Sequence, residues 1–298
     1  MRDGIAVILA SVGRPVELGR WVEHMARQTV KPVEMIWAVS SDDDLPAQFR
    51  SLDRHPGLTI VRSPIGLTKQ RNRGLEAITT EPAFIAFFDD DYVPTTTTLE
   101  DIIFSFAALP DVVGLTGTML ADGINSCGVS YEDAVALVRD YEATRRDPTR
   151  IPGLQPWEGL YGCNMIYRAE VIDGERFDEK LPLYAWQEDV DFAVRVAKGR
   201  RIGRTDGFAG VHQGVKSGRG SGKRLGYSQI VNPLYLFIKG SMKWRKALSL
   251  AARNVIANHV RSLRPEFWVD RRGRALGNWL GIFDVLRGRV DPMRVLDL

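Results

Sequence analysis

The sequence predicts an α/β fold, an open and mostly parallel sheet flanked by helices, and three observations predict it. Short apolar runs recur at residues 5–10, 35–39, 58–61 and 84–88. A stretch with apolar residues at helical spacing, Leu18, Trp21, Val22 and Met25, follows the first of them, and residues 68–78 after the third read as a helix entered through a Gly66 turn. Every run closes in polar residues, the pattern expected where strands leave a sheet toward a ligand crevice.

Residues 5–10 read as a first strand that ends in the turn Ser11-Val12-Gly13-Arg14-Pro15, and residues 17–28 as the helix after it. Residues 35–39 are closed by Ser40-Ser41-Asp42-Asp43-Asp44, and residues 58–61 by Arg62-Ser63-Pro64-Ile65-Gly66. A helix over 68–78 leads into residues 84–88, an unbroken apolar and aromatic run that suits a strand covered on both faces. No GxGxxG or GxxxxGK[ST] fingerprint follows any of these strands, which disfavours ordinary dinucleotide binding and P-loop chemistry.

Asp89, Asp90 and Asp91 arrive at the end of that central strand. Apolar packing cannot hold three adjacent charges, so they belong where the chain meets solvent or cations. Asp89 and Asp91 together could serve a divalent cation, because hard cations take carboxylate oxygens. A polar loop with a helix cap accounts for them equally well.

Residues 99–109 read as a helix and 112–118 as a strand. The polar stretch 121–157, with Arg145, Arg146, Asp147, Pro148 and Arg150 clustered, reads as a mobile loop or insertion. Small residues Gly159 and Gly162 beside Asn164 suit either close approach to a ligand or a turn before a strand. Glu188, Asp189 and Asp191 open a helical pattern, where the helix dipole alone favours acids; Trp186 just upstream could desolvate one of them into a general base. His212 follows a strand over 207–211 and precedes a loop rich in Gly, Ser, Lys and Arg.

Among 298 residues, 44% are hydrophobic and 26% charged, as in ordinary globular chains, and no apolar run has the length to cross a bilayer. Residues 5–10 are too short for a signal-peptide core, and Cys127 and Cys163 form no metal-type spacing. Cytoplasmic location is the expectation. The net charge of +3 hides an asymmetry: from residue 200 onward the chain has 20 Lys and Arg against 6 Asp and Glu. Such a segment suits anionic lipids, phosphates or nucleic acid.

Taken in order, Ser11-x-x-Arg14-Pro15, Arg71-Asn72-x-Gly74, Asp89-Asp90-Asp91 with Pro94, Gly162-x-Asn164-Met165-x-x-Arg168, Phe177-Asp178-Glu179-x-Leu181 and Glu188-Asp189-x-Asp191-Phe192 resemble the family 2 glycosyltransferases over about residues 4–215. These are inverting enzymes of the GT-A fold, and the resemblance is to the type that builds bacterial surface polysaccharides. It implies a GT-A catalytic domain over 1–238, with a nucleotide-sugar half to about 95 and an acceptor half beyond it, and a basic amphipathic helical extension over 239–298.

By that resemblance Asp89 and Asp91 meet the ribose and a Mn²⁺ or Mg²⁺ ion on the diphosphate, with Asp90 between them and His212 placed to complete the metal shell. Ser11, Arg14, Arg71 and Asn72 belong to the nucleotide side, as does Asp42 after the second strand. Asp189 best matches the base that deprotonates the acceptor, with Glu188 second, while Asn164, Trp186 and Asp191 fall on the acceptor side. Lys216, Arg219 and Lys223 could close over the diphosphate.

The partners implied are a nucleotide-sugar donor, with uridine the favoured base, and a saccharide or lipid-linked saccharide acceptor at the inner face of the cell membrane. In the extension, residues 244–263 and 276–286 suit a helix in an anionic membrane interface, a helix packed on the catalytic domain with its charged face to water, or a homodimer contact. A sugar-phosphate nucleotidyltransferase would want a Gly-rich first loop, and Ser11 to Pro15 has one Gly. A non-catalytic nucleotide-sugar-binding subunit would not need both acid clusters, and no aromatic-interleaved motif points to nucleic acid.

Overall fold

The structure, a computed structural model, describes residues 3–50, 54–55, 57–144, 150–217 and 220–298. The described residues of Met1–Ile65, Lys69–Arg176 and Val196–Gly218 form one compact unit; those of Gly66–Thr68, Phe177–Arg195 and Arg219–Leu298 form a second.

In chain order the first half of the sequence supplies β1 (Ile5–Ser11), α1 (Pro15–Arg27), β2 (Glu34–Val39), β3 (Arg54–His55), β4 (Leu58–Arg62), α2 (Leu67–Glu76), β5 (Phe84–Asp89), β6 (Tyr92–Pro94), α3 (Thr98–Ala108), β7 (Val112–Asp122) and α4 (Tyr131–Thr144). Then come β8 (Leu154–Pro156), β9 (Asn164–Arg168), α5 (Ala169–Ile172), α6 (Glu188–Ala197), β10 (Arg201–His212), α7 (Gly222–Lys239), α8 (Trp244–Arg261) and α9 (Arg271–Leu286). The strands join one sheet in the order β3-β4-β2-β1-β5-β9-β7-β10-β6, with β8 on β10.

Strands β4, β2, β1 and β5 are parallel, and Ala10 lies opposite Asp89 while Ser11 lies opposite Val39. One edge therefore collects the polar residues that end all these strands. The mostly parallel expectation stops there. β9 runs antiparallel between β5 and β7, so the sheet is mixed. An apolar run records burial on both faces but not chain direction, which is why the sequence alone did not reveal it.

Strand β1 is buried along its length up to Leu9, and on the sheet Trp21 of α1 packs against Phe88, which stacks in turn on Tyr92. Helix α2 lies close on β1: a Cβ at Gly74 would stand 2.5 Å from Ile8 Cγ2, so only glycine lets the two backbones approach. The polar stretch 121–157 is not all loop. It contains α4, whose Ala134 and Val138 pack with Val93 and Val211, too sparse an apolar pattern to stand out in the sequence. Of its charged cluster, residues 145–149 lie outside the described residues.

The second unit is helical. Helices α7 and α9 meet backbone to backbone: a Cβ on Gly277 would fall 2.0 Å from the Lys223 carbonyl oxygen, and one on Gly226 would fall 2.1 Å from that of Arg274. Asn278 then donates to the Gly226 carbonyl (2.7 Å), and Asn258 of α8 donates to Asn278 (3.0 Å) and Gln229 (2.8 Å). A buried polar layer thus ties three helices, each amide offset by a partner. No helix among the described residues is long and apolar enough to cross a membrane.

His24 of α1 is buried beside Trp21. Burial, with Arg27 and Arg20, holds its pKa down to about 4. The unfolded chain takes up this proton near the ordinary histidine value, so the contribution of the neutral ring is full above that value and is lost as pH falls through it toward the folded pKa. Urea unfolding at pH 7 and pH 5 should show His24→Gln losing roughly 2 kcal/mol less than wild type over that interval. Equal losses would show that the ring is not held neutral.

Candidate active site

The three carboxylates at the end of β5 have separate partners. Asp90 faces inward: Ser11 Oγ donates to one of its oxygens (2.6 Å), Arg14 Nη1 donates to the other (2.8 Å), and Trp21 Nε1 donates to its backbone carbonyl (3.1 Å). Burial and the adjacent Asp91 push its pKa up to about 7, against the pull of Arg14. Asp90 anchors the turn. Asp89, about a third exposed, accepts from Arg71 Nη2 at 3.0 Å, and the same nitrogen reaches the Gly162 carbonyl at 2.8 Å. Arg71 is itself buried, so its guanidinium orders Asp89 and the start of β9.

Asp91 is the least satisfied. Its Oδ2 accepts from the Val215 amide (2.8 Å) and lies 3.4 Å from Arg14 Nη1. Its Oδ1 is buried, makes no hydrogen bond and stands 3.4 Å from His212 Nε2. Burial alone would raise the Asp91 pKa, but His212, Arg14 and the Val215 amide bring it down to about 2. A buried carboxylate oxygen without a donor is costly unless a cation meets it.

His212 ends β10 and is oriented from behind. Its Nδ1 is 2.9 Å from Asp122 Oδ1, and Asp122 also accepts from Tyr161 Oη (2.8 Å) and the Ile124 amide (3.0 Å). Burial disfavours a charged ring, yet Asp122 and Asp91 raise its pKa to about 10. A carboxylate on Nδ1 turns Nε2 toward the acids, the arrangement that prepares a metal-binding histidine. Asp89, Asp91 and His212 can each offer a ligand atom within 4.8 Å of the others. Two hard oxygens and an imidazole suit a divalent cation, and they fit Mn²⁺ well.

Arg14 also fastens the loop after β10. Its Nε and Nη2 donate to the carbonyls of Ser217 and Val215, both at 3.0 Å, while the Gln213 amide donates to the Asp91 carbonyl at 2.9 Å. Lys216, expected over a diphosphate, donates to the carbonyls of Gly123 (2.8 Å) and Ile124 (3.2 Å). Arg219 lies outside the described residues, and Lys223 sits on α7 of the second unit. After β2, Asp42 pairs with Arg62 at 2.6 Å. The buried acid there is Asp44, which accepts from the amides of Ser40, Ser41 and Gly13 and so ties this turn to the one after β1.

Asn72 is buried on α2. Asn164 is fully buried on β9, with Thr116 Oγ1 donating to its Oδ1 and its Nδ2 3.4 Å from Tyr92 Oη. It cross-ties β9, β7 and the β6 segment, and has no surface to offer an acceptor.

In the second unit Glu188 and Asp189 open α6, with Glu188 buried and Asp189 half-buried. The chain reaches them through an unusual backbone: Leu183, Ala185 and Gln187 have φ of 59°, 51° and 73°. Left-handed conformations at residues with a Cβ cost about 1–3 kcal/mol each and persist where surroundings impose them, commonly at functional sites. Here the imposition comes from the Leu67 amide on the Leu183 carbonyl (2.9 Å) and from Asn232 Nδ2 on the Trp186 carbonyl (2.9 Å). Asp191 is fully buried and accepts from Lys239 Nζ (2.8 Å) and Arg195 Nε (3.0 Å). Lys239 also reaches Asp178 at 2.6 Å, which Tyr235 Oη joins at 2.8 Å. Asp191 therefore braces α6 instead of facing an acceptor.

A family profile described as Glycosyl transferase family 2 matches residues 6–173, more than half of the chain. The chain belongs to glycosyl transferase family 2. Solved structures with the same fold include mannosyltransferase PcManGT from Pyrobaculum calidifontis in complex with GDP-Man and Mn²⁺, at TM-score 0.55 and 14% identity, covering 99% of this chain and 79% of that one. S. aureus TarS 1-349 in complex with UDP-GlcNAc matches at TM-score 0.50 and 15% identity, covering 97% and 93%. No curated protein sequence matches. The fold of this family 2 glycosyltransferase is GT-A.

Residue patterns missed Asp122, Asp44 and Lys239. Asp122 followed by Gly123 reads as a turn residue, which it also is, since it caps the Ile124 amide; nothing local says that His212, ninety residues on, needs it. Asp122→Ala should lower Mn²⁺ affinity by about 10–100-fold, as read by calorimetric titration, with circular dichroism unchanged. Unaltered affinity would mean that the ring is positioned without Asp122.

Proposed function

We propose that this glycosyltransferase moves a sugar from a uridine diphosphate sugar, with inversion, to a saccharide or lipid-linked saccharide acceptor at the cytoplasmic membrane face, in bacterial surface-polysaccharide synthesis. The observation that carries the reading is the Asp89, Asp91 and His212 cluster at the carboxyl edge of the parallel strands, with a buried Asp91 oxygen that makes no hydrogen bond. A divalent cation bound there would neutralise the charge that grows on the departing nucleoside diphosphate.

The residues then divide the work. Asp89 and Asp91 hold the donor's diphosphate end, Ser11 and Arg14 keep Asp90 and the neighbouring turn in place, and Arg71 keeps Asp89 aimed. Asp189 takes the proton from the acceptor hydroxyl as its oxygen bonds to the anomeric carbon and the bond from that carbon to the diphosphate oxygen breaks. One displacement inverts the centre and needs one base. Asp189 is favoured over Glu188 because it matches the family motif and is less buried. The strained backbone before α6 and the Asp191–Lys239 pair support a fixed place for that base.

The solved relatives hold different donors, GDP-Man in one and UDP-GlcNAc in the other, so the base needs a direct test. Calorimetry with UDP, GDP and dTDP, with Mn²⁺ or chelator, should give selective, metal-dependent binding of UDP that Asp91→Ala abolishes. Tighter binding of GDP would move the donor to the guanosine class. Asp189→Asn should keep donor binding and lower transfer at least about 100-fold. Turnover near the wild-type rate in that variant would remove Asp189 from the role.

A further inference from the structure

Helices α8 and α9 are arranged opposite to the usual soluble pattern. The residues they bury are small or polar: Ala247, Ala251 and Asn258 on α8, and Gly277, Asn278 and Gly281 on α9. Leu250, Leu280 and Val285 pack inward, but many of the two helices' larger apolar residues face outward. On α8 these are Trp244, Leu248, Ile256 and Val260, at multiples of four residues, and the connection that follows the helix adds Leu263 and Phe267, 82% and 90% exposed. On α9 they are Leu276, Trp279, Phe283 and Leu286, a single face by helical spacing. The two lines adjoin, because the His259 and Trp279 rings meet edge to face at 5.7 Å beside the Asn258–Asn278 hydrogen bond. An apolar surface of this extent calls for an occupant.

Charge identifies it. α8 has no acidic residue, and the one acid of α9, Asp284, is buried with Tyr227 Oη on its carboxylate. Exposed Arg245 and Arg253 lie along the α8 line, and Arg272 and Arg287 stand at the two ends of the α9 line. A second copy of the chain is a poor fit, since a symmetric contact would face these arginines with their own kind, and the nearby acids are already engaged, Glu266 by Arg261 and Arg271 and Asp270 by the Gly273 amide. Arginine stems and tryptophan rings around an apolar strip instead match an interface of acyl chains below and anionic headgroups above. Neither helix can span a bilayer.

We propose that the outward faces of α8 and α9 form one docking surface for an anionic lipid bilayer, seated in the interface plane, with the apolar lines in the acyl boundary and the arginines on lipid phosphates. The inference deepens the proposed membrane-side acceptor and rests on that reading for its purpose. Its test does not depend on donor or acceptor, so either can fail alone.

The test is flotation of the full chain with vesicles of phosphatidylcholine alone or of equal parts phosphatidylcholine and phosphatidylglycerol. Wild type should bind the anionic vesicles at least about tenfold more strongly, and added salt should weaken that binding. Phe267→Ser with Leu286→Ser, both at highly exposed sites, should lower partitioning about 10–100-fold with circular dichroism unchanged. Arg253→Glu with Arg272→Glu should remove the preference for anionic lipid. The proposal is overturned if wild type binds neither vesicle, if it shows no preference between them, or if the serine variant binds like wild type. It is equally overturned if sedimentation without lipid shows a dimer that the serine variant loses, which would assign the face to a second copy.

Discussion

Asp89, Asp90 and Asp91 put three carboxylates on consecutive residues at the end of a strand buried in the middle of the sheet, and their mutual repulsion has to be met from outside that strand. Much of the first unit is arranged to meet it. Ser11 and Arg14 come from the end of β1 to Asp90, Arg71 comes from α2 to Asp89, and the loop after β10 brings the Val215 amide and His212 to Asp91. Each partner stands at a strand end or just after one: β1 and β4 deliver theirs through the parallel register of β4, β2, β1 and β5, and β10 delivers His212 and Val215 through its antiparallel pairing with β6. Among these three carboxylates, the buried Asp91 oxygen that stays without a donor is where a cation fits.

The second unit repeats the device with a different emphasis. Asp178 and Asp191 share Lys239, so two acids distant in sequence are held by a single cation at the end of α7. That pairing is internal and buried on the Asp191 side, which makes it costly to break and well suited to fixing α6. The left-handed residues just before α6 tell the same story from the backbone: their strain is sustained by hydrogen bonds from Leu67 and Asn232. Rigid support around Glu188 and Asp189 is compatible with a base that must meet its substrate in one geometry.

A good share of this was legible beforehand. The apolar runs marked β1, β2, β4 and β5 to within a residue or two, because burial on both faces leaves an uninterrupted signature, and the helices α1, α6 and α8 followed from spacing. The direction of β9 was not legible, nor was α4, whose buried face is narrow. In the site, the acids were visible as acids, but their roles were not. Asp90 and Asp91 are neighbours of the same chemistry, yet one is anchored by Ser11 and Arg14 and the other keeps an oxygen without a donor. Asn164 and Asp191 looked like polar residues for an acceptor; the first ties strands and the second braces a helix.

By itself, the sequence determined the α/β class, the strand ends that carry polar residues, the acidic clusters at Asp89–Asp91 and Glu188–Asp191, and the basic character of the last hundred residues. These are local properties, written in the order and type of neighbouring residues. Tertiary structure decided which carboxylate is satisfied, which histidine nitrogen faces the acids, that Asp122 stands behind that ring, and that α8 and α9 turn Trp244, Leu248, Ile256, Val260, Leu276, Trp279, Phe283 and Leu286 outward. Those depend on contacts between residues tens to hundreds of positions apart. Whether a charge is paired, buried or left seeking a cation is fixed by what folding brings beside it.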